Sequence, residues 1–515
     1  MPSRTTAVRL GLVAALTGLL AGGLPAGAAS TPTTTIGSPS VPGTAKGFTL
    51  VGHTDLGNRG MNSPLALAGR CAYVGDRTYD DPRPQGGIAV IDVANPAKPT
   101  RVGTIPPRKG VTQRELRADR GLGLLVVLDY AASIGGAGTA YSGNDLKIYD
   151  IAGDCRTPKL LSTYDFGART PHEFFLWKDP KNAGRVLAYV TTTIYGPDLS
   201  VIELTDPTAP RLLTTYDIGI DQAFKTADFA DKSGSGYLHS LSVTDDGTRA
   251  YMGAWDYGMY VADTSALAAP GGVPLIRPVG AGRLDYGHNV HGGVPLRGRP
   301  YAVTVQEDYA NAGNGCPFGW LRMADVTDQA NPKLGGEYKL PENDCDKAKA
   351  VNGTFTAHNQ TTFKNLALLT WYAGGLRAVD VSDPNRPVEA GVFVPKADKP
   401  APDIRDTRLF FRPSPVDRRT GAMWSYPVVQ DGLVYVVDID LGLYVLRYTG
   451  KHAEEVRQAA FVEGNSAPSR YTASAPVLRR TAGVAGKIAA LRAPAVVLDT
   501  VPMTDARGHV MRFLC

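Results

Sequence analysis

One phrase recurs along this chain of 515 residues and restricts what it can fold into: a Gly- or Asp-led apolar strand, an acid, a Pro-punctuated turn and another strand. It reads GGIAVIDVANPAKPTRVG from Gly86, DLSVIELTDPTAPRLLTTYDIG from Asp198 and GGLRAVDVSDPNRPVEAGVF from Gly374. Self-similarity at a period of about 50 residues marks a repeat architecture, in which each unit buries its apolar faces against its neighbours. The apolar runs are short and are separated by Gly, Asp, Asn and Pro, as buried antiparallel strands require. The 58 Gly and 38 Pro fit a turn-rich β protein.

Counting the third strand of each unit gives seven: IAVIDV, LKIYDI, LSVIEL, GMYVAD, WLRMAD, LRAVDV and LYVLRY. The units run approximately 58–106, 107–167, 168–219, 220–280, 281–341, 342–395 and 396–450. The last lacks an outer strand after its third, whereas GFTLVGHTDLG at Gly47 to Gly57 has the character of one. One piece at each end of the array makes a complete unit, which predicts an all-β, seven-bladed β-propeller closed by an N-terminal strand, with no exposed sheet edge left over.

The phrase resembles the LVIVD repeat of secreted bacterial propellers, most clearly in IAVIDVANPAKP and LRAVDVSDPNRP. LSVIELTDPTAP departs in its acid, and LYVLRY has lost the Asp. The resemblance spans most of residues 47–450 and implies the propeller fold. It implies little chemistry, because the family is largely without an assigned activity and propellers host many functions.

Residues 1–29 carry Arg4 and Arg9, an apolar run from Leu10 to Leu24 and the small triplet Ala26-Gly27-Ala28. That order predicts a signal peptide cleaved after Ala28 or Ala29, hence a secreted, extracellular protein. The run is shorter than the roughly 20 residues of a spanning helix, so no stable membrane anchor is expected. Residues 30–46, rich in Thr, Ser and Pro, read as a flexible linker, and 451–515 as an extension, partly helical or disordered.

The net charge is +5, but the leader holds two arginines and the tail after Gly450 nine basic against five acidic residues, which leaves the body at about −1. Nothing argues for a nucleic-acid partner. The expected partners are a small molecule, a peptide or a cell-wall component, bound by a monomer. Of five cysteines, Cys316 with Cys345 and Cys71 with Cys155 are candidate disulfides, the second pair because both fall near one rim of neighbouring repeats; Cys515 is left over.

His172, His239, His288 and His358 each stand just before the first strand of four consecutive repeats. The first strand of a blade lines the central channel, so residues in one phase point toward a common volume at its mouth. Imidazoles converging there are candidate ligands for Cu, Zn, Fe or Ni. The alternative is a ring of polar groups hydrogen-bonded to backbone and channel water. The register of HNVHGG leaves His291 as a substitute for His288.

The second strand returns to the same end and brings Asp76, Asp129, Asp256, Glu307 and Asp438, of which Glu307 is the best carboxylate to complete a metal shell. Glu115 and Glu173, in the first-strand phase, are weaker candidates. Trp255, Tyr257, Trp371, Tyr372 and Trp424 form an aromatic rim or cap blade interiors. His53, His452 and His509 lie off the axis.

A histidine ring in a propeller channel is similar, at the level of fold alone, to the copper-containing selenium-binding proteins. No G-x-S-x-G elbow, phosphate loop or C-x-x-C pair appears. The sequence therefore favours a binding scaffold with a His-rich channel mouth, over a metal-dependent oxidoreductase or hydrolase using the same histidines.

Overall fold

A computed structural model describes residues 30–466, except 78–85, 109, 132–142, 183, 195–196, 219–236, 270, 285–288, 309–316, 345, 347–352 and 400–420. The expected signal peptide, Cys316, Cys345, His288, His509, Cys515 and the segment from 467 onward lie outside the described residues. None of the described helices is long and apolar enough to cross a membrane.

The described strands form seven separate sheets, each built on an antiparallel set of four running from the channel outward, and two of them carry a fifth strand. Blade 1 comprises Asn62–Ala68, Cys71–Asp76, Ile88–Asp92 and Thr100–Ile105. Blades 2 to 6 follow in chain order, their inner strands being Val111–Asp119, Thr170–Lys178, Ser240–Val243, Val290–Pro295 and Gln360–Thr362. Blade 7 is built from Val428–Gln430, Leu433–Asp438 and Gly442–Tyr448, and its outer strand is the N-terminal Phe48–Thr54, paired antiparallel with Gly442–Tyr448. The ring is thus closed by the segment expected to close it.

Burial explains the sequence pattern. Second and third strands are covered on both faces by neighbouring blades and read as near-continuous apolar runs, whereas inner strands such as Val111–Asp119 and Gln360–Thr362 carry buried polar residues toward the channel. Outer strands alternate, as in Thr100–Ile105, where every second residue is exposed. Seven apolar clusters fill the gaps between successive blades. The cluster joining blades 7 and 1 packs Leu65, Val74 and Ile91 against Val428, Tyr435 and Val445, so the closure is held by core as well as by ladder.

The acid of the repeat does structural work. Asp92, Asp150, Asp263, Asp325 and Asp380 each accept from the main-chain N–H two residues on, at 2.8–2.9 Å, turning the chain out of the third strand. In blade 3, Glu203 reaches the Thr205 hydroxyl instead. A second acceptor completes several of these turns, as Asn95 does for the Ala97 N–H and Asp383 for that of Asn385. A disulfide links Cys71 to Cys155, with Cα atoms 6.0 Å apart across blades 1 and 2.

The segments flanking the propeller are both tied to it. Residues 30–46, read from composition as a flexible linker, are laid along blades 5 and 6: Thr34–Ile36 adds a parallel strand to Lys333–Lys339, and Ser38 and Ser40 bond Glu389 and Glu342. Composition missed this because the segment borrows its order from acceptors more than 300 residues away, Glu342 and Glu389 among them. After the short helix Ala453–Arg457, the chain turns into the channel. Phe461–Val462 pairs with the inner strand of blade 7, and Gly464 donates to the Thr361 hydroxyl. A Cβ on Gly464 would lie 2.0 Å from the Gln360 carbonyl oxygen, so only glycine fits there.

Candidate functional site at the channel mouth

Bulges aim the site. Where blades 2, 3 and 5 begin their inner strands, the ladder to the second strand slips between Gln113 and Glu115, between Pro171 and Phe174, and between Val290 and Gly292. The residues released are Arg114, His172 with Glu173, and His291. A bulge frees a residue from pairing and re-aims its side chain, here toward the channel axis. Blades 4 and 6 use shorter inner strands. The main-chain N–H groups of His239 and His358 still bond Gly253 and Thr370 on the second strand. A Cβ at Gly253 would sit 2.5 Å from the His291 carbonyl oxygen, so this glycine permits the close approach of blades 4 and 5.

Four imidazoles therefore follow one another around the axis. Ring centroids are 4.1 Å apart for His172 and His239, 4.5 Å for His239 and His291, and 4.4 Å for His291 and His358. The Nε2 atoms of His172 and His239 are 2.8 Å apart. Glu173 Oε1 lies 3.1 Å from His291 Nε2. Glu307 places Oε1 2.9 Å from His358 Nε2 and Oε2 3.6 Å from His239 Nε2. His239, His291, Glu173 and Glu307 are all buried.

Electrostatics divide the four rings. Burial, together with Arg114 beside it, holds His172 well below the ordinary histidine range; burial and the neighbouring His172 do the same for His239. Both effects favour the uncharged imidazole, the form that binds metals. Burial also opposes charge on His291, but the Glu173 carboxylate overcomes it and raises His291. Glu173 is lowered in turn, because His291 outweighs the effect of its own burial. His358 donates Nδ1–H to the Trp424 carbonyl oxygen, which orients Nε2 toward Glu307. The Nδ1 atoms of His239 and His291 are buried without a hydrogen-bond partner among the described residues.

Aromatic residues brace the cluster from strained backbone. Trp255 and Tyr372 occupy matching positions after the second strands of blades 4 and 6, at φ +42° and +38°. Bulky side chains rarely take this conformation, and such strain concentrates at functional sites. Trp255 stacks on His239 at 4.5 Å and 15°, and Tyr237 stacks on Trp255. Tyr372 donates its hydroxyl to Glu307 at 2.7 Å. Arg114 donates Nε–H to the His172 carbonyl oxygen and brings a terminal nitrogen within 3.0 Å of the His172 ring nitrogens. Arg77 lies over the Trp424 ring at 4.9 Å.

Beneath the histidines the channel is filled. Tyr426 meets Ser240 at 3.3 Å, and Arg117 lies between the Tyr426 and Phe174 rings. Arg117 binds Glu115 at 2.7 Å and lies 3.7 Å from Glu463 of the inserted segment.

Of the residues singled out in the sequence, His172, His239, His358 and Glu307 come together, and His291 takes the place proposed for His288. Glu173, ranked below Glu307, contacts His291 directly, because the bulge carries it inward beside His172. Glu115 faces Arg117 instead. Asp129 pairs with Lys147, Asp438 accepts the N–H groups of Asp440 and Leu441, and Asp256 accepts from Asn289. Trp371 packs in the blade 5 and 6 core. His53 stacks on Tyr444 at the outer strand, and His452 pairs with Asp380. Sequence reasoning missed Arg114 and Tyr237; Arg114 shares the first-strand phase with His172, but a search restricted to histidines and acids passes over it.

The LVIVD repeat family matches residues 59–105 and 372–394, which are blade 1 and the later strands of blade 6. No curated protein matches the sequence. Among solved structures, the β-propeller domain of Cps50 (Swd1) from Myceliophteria thermophila is similar at 9% identity and a TM-score of 0.44, over 78% of this chain and 99% of that one. Seven meander sheets, closed by an N-terminal strand and bearing this repeat, define the fold: the chain is a seven-bladed β-propeller that carries LVIVD repeats.

Proposed function

We propose that this propeller is a secreted binding protein whose channel-mouth cluster holds a transition metal, with copper, zinc and iron as the candidate ions. The observation that carries the reading is the convergence of four imidazoles and two carboxylates on one buried volume, with donor atoms of each triad within 4.8 Å of one another. Metal–nitrogen and metal–oxygen bonds of about 2.0–2.2 Å hold the ligands of one ion within about 4.4 Å of one another, so small side-chain shifts bring each triad onto an ion. The mixed imidazole and carboxylate set suits borderline ions. The metal then presents a small molecule, peptide or wall component with an anchoring point beside Arg114, Tyr237 and Trp255.

The test is equilibrium dialysis of the full chain, purified without chelators, against Cu2+, Zn2+ and Fe2+ in turn. At least one ion should be retained per chain, and His239→Ala should weaken retention by roughly 100-fold, at the upper end of effects on metal sites. Failure of the wild-type protein to retain any of the three ions sinks the reading.

A further inference from the structure

The arrangement of the donors goes beyond the presence of a metal. We propose that the channel mouth is a binuclear centre, with one ion on His172 and His239, a second on His291 and His358, and Glu173 shared between them. The inference rests on the metal-binding reading above and deepens it.

Three triads of donors converge, and none contains more than two histidines. The first is His172, Glu173 and His239; the second is Glu173, His291 and His358. Together they use every histidine of the cluster once and meet at Glu173. His172 shares no triad with His291 or His358. Ligands of one ion with bonds near 2.1 Å are never much more than about 4.2 Å apart. An arc of four rings spread over four blades therefore exceeds the reach of a single ion but matches two ions side by side.

The second carboxylate follows the same division. Glu307 turns Oε1 toward His358, at 2.9 Å, and Oε2 toward His239 and His291, at 3.6 and 4.0 Å. Its two oxygens address histidines of different triads, as a bridging carboxylate does. The third triad, His239, His291 and Glu307, straddles the boundary between the two sites. Paired ions about 3.5–4 Å apart form a recurring arrangement in proteins, and four imidazoles with two bridging carboxylates supply each ion with two nitrogens and two oxygens. The contacts of His239 and His291 within the cluster are made by Nε2, with His172 Nε2 at 2.8 Å and Glu173 Oε1 at 3.1 Å.

The experiment is metal stoichiometry on the full chain, loaded with Zn2+ and freed of excess by gel filtration, read by elemental analysis per chain. Two equivalents are expected. The double variant H172A/H239A should retain one, and H291A/H358A should also retain one, with thermal melting confirming that each is folded. One equivalent in the wild-type protein overturns the binuclear centre and leaves the metal-binding reading standing; none overturns both. Two equivalents that persist in both double variants place the ions elsewhere and also overturn it. Should either double variant fail to fold, Co2+ loading of the wild-type protein decides: magnetic coupling between two ions is expected, and an isolated-ion signal at full loading overturns the proposal.

Discussion

Arg117 donates Nε–H to the main-chain oxygen of Asn465 at 3.2 Å, although the two residues are 348 positions apart in the chain. The contact ties the inner strand of blade 2 to the segment that enters the channel after the last blade. Leu176 of blade 3 donates its N–H to the same oxygen, and Thr361 of blade 6 holds Gly464. One extended segment thus touches blades 2, 3, 6 and 7 and closes the channel below the histidines.

Removing the Arg117 charge should be costly. Burial of Glu115 raises it despite the opposing pull of Arg117, and burial lifts Glu463 to about 6. Arg117→Met would leave both carboxylates buried without their cation, at an expected cost of about 3–5 kcal/mol. Glu463→Gln should cost much less, because Arg117 keeps Glu115 at 2.7 Å. Urea denaturation of the two variants checks the contrast; equal costs would contradict it.

Tyr372→Phe isolates the bracing of Glu307. The variant removes one hydroxyl donor and leaves ring packing in place, so stability should fall by about 1–2 kcal/mol. Glu307 then loses a bond that fixes its Oε1, and Zn2+ affinity should drop about 10-fold, as for other supporting residues of metal sites. Titration with a competing chelator measures the second effect. A stability loss with unchanged affinity would show that Tyr372 only packs.

The repeat made the fold legible because most blades restate one local rule: an apolar strand, then an acid accepting from the main-chain N–H two residues on as the chain turns outward. Histidine phase gave the site, since inner strands share one axis. The choice between His288 and His291 depends on a bulge, and a bulge adds one residue without any mark in composition. The same bulge effect moved Glu173 to the centre. The channel segment Phe461–Ser466 was illegible for a different reason: its partners Arg117, Leu176 and Thr361 are scattered across the chain, and its own residues carry no period.

The turn acids yield a simple additivity test. Asp150 holds the Ala152 N–H at 2.8 Å and Asp325 holds that of Thr327 at 2.9 Å, in blades 2 and 5. Each Asp→Ala change should cost about 0.5–1.5 kcal/mol. The sites share no partners, so the double variant should equal the sum within about 0.5 kcal/mol. A larger discrepancy in thermal or urea unfolding would mean that turns in separate blades are coupled through the ring.

The Cys71–Cys155 bond closes a loop between residues 84 positions apart. In the chain-entropy account, its loss should cost about 4–5 kcal/mol. Cys71→Ala with Cys155→Ala, compared with the oxidised protein by urea denaturation, provides the measurement. A cost below about 1 kcal/mol would show that the unfolded chain is little constrained by the link.

Asp198 gives a pH dependence whose sign can be worked out. Its carboxyl is pushed up to about 7 by burial, with Asp217 adding to the effect and the Ile218 N–H at 2.9 Å opposing it. In the unfolded chain the same group titrates near the usual value of about 3.9. The folded state therefore holds the proton more tightly, and the contribution to stability is fully present below pH about 4. It is lost as pH rises from about 4 to about 7, because the unfolded chain ionises first, and it changes no further above that. Asp198→Asn stays neutral throughout and keeps an acceptor for Ile218. The stability of the variant relative to the wild-type protein should thus rise by a few kcal/mol, on the order of 4, between pH 4 and 7, and then level off. Urea denaturation at unit pH steps tests this, and a difference that stays flat or falls across the window would show that Asp198 is ionised in the folded protein.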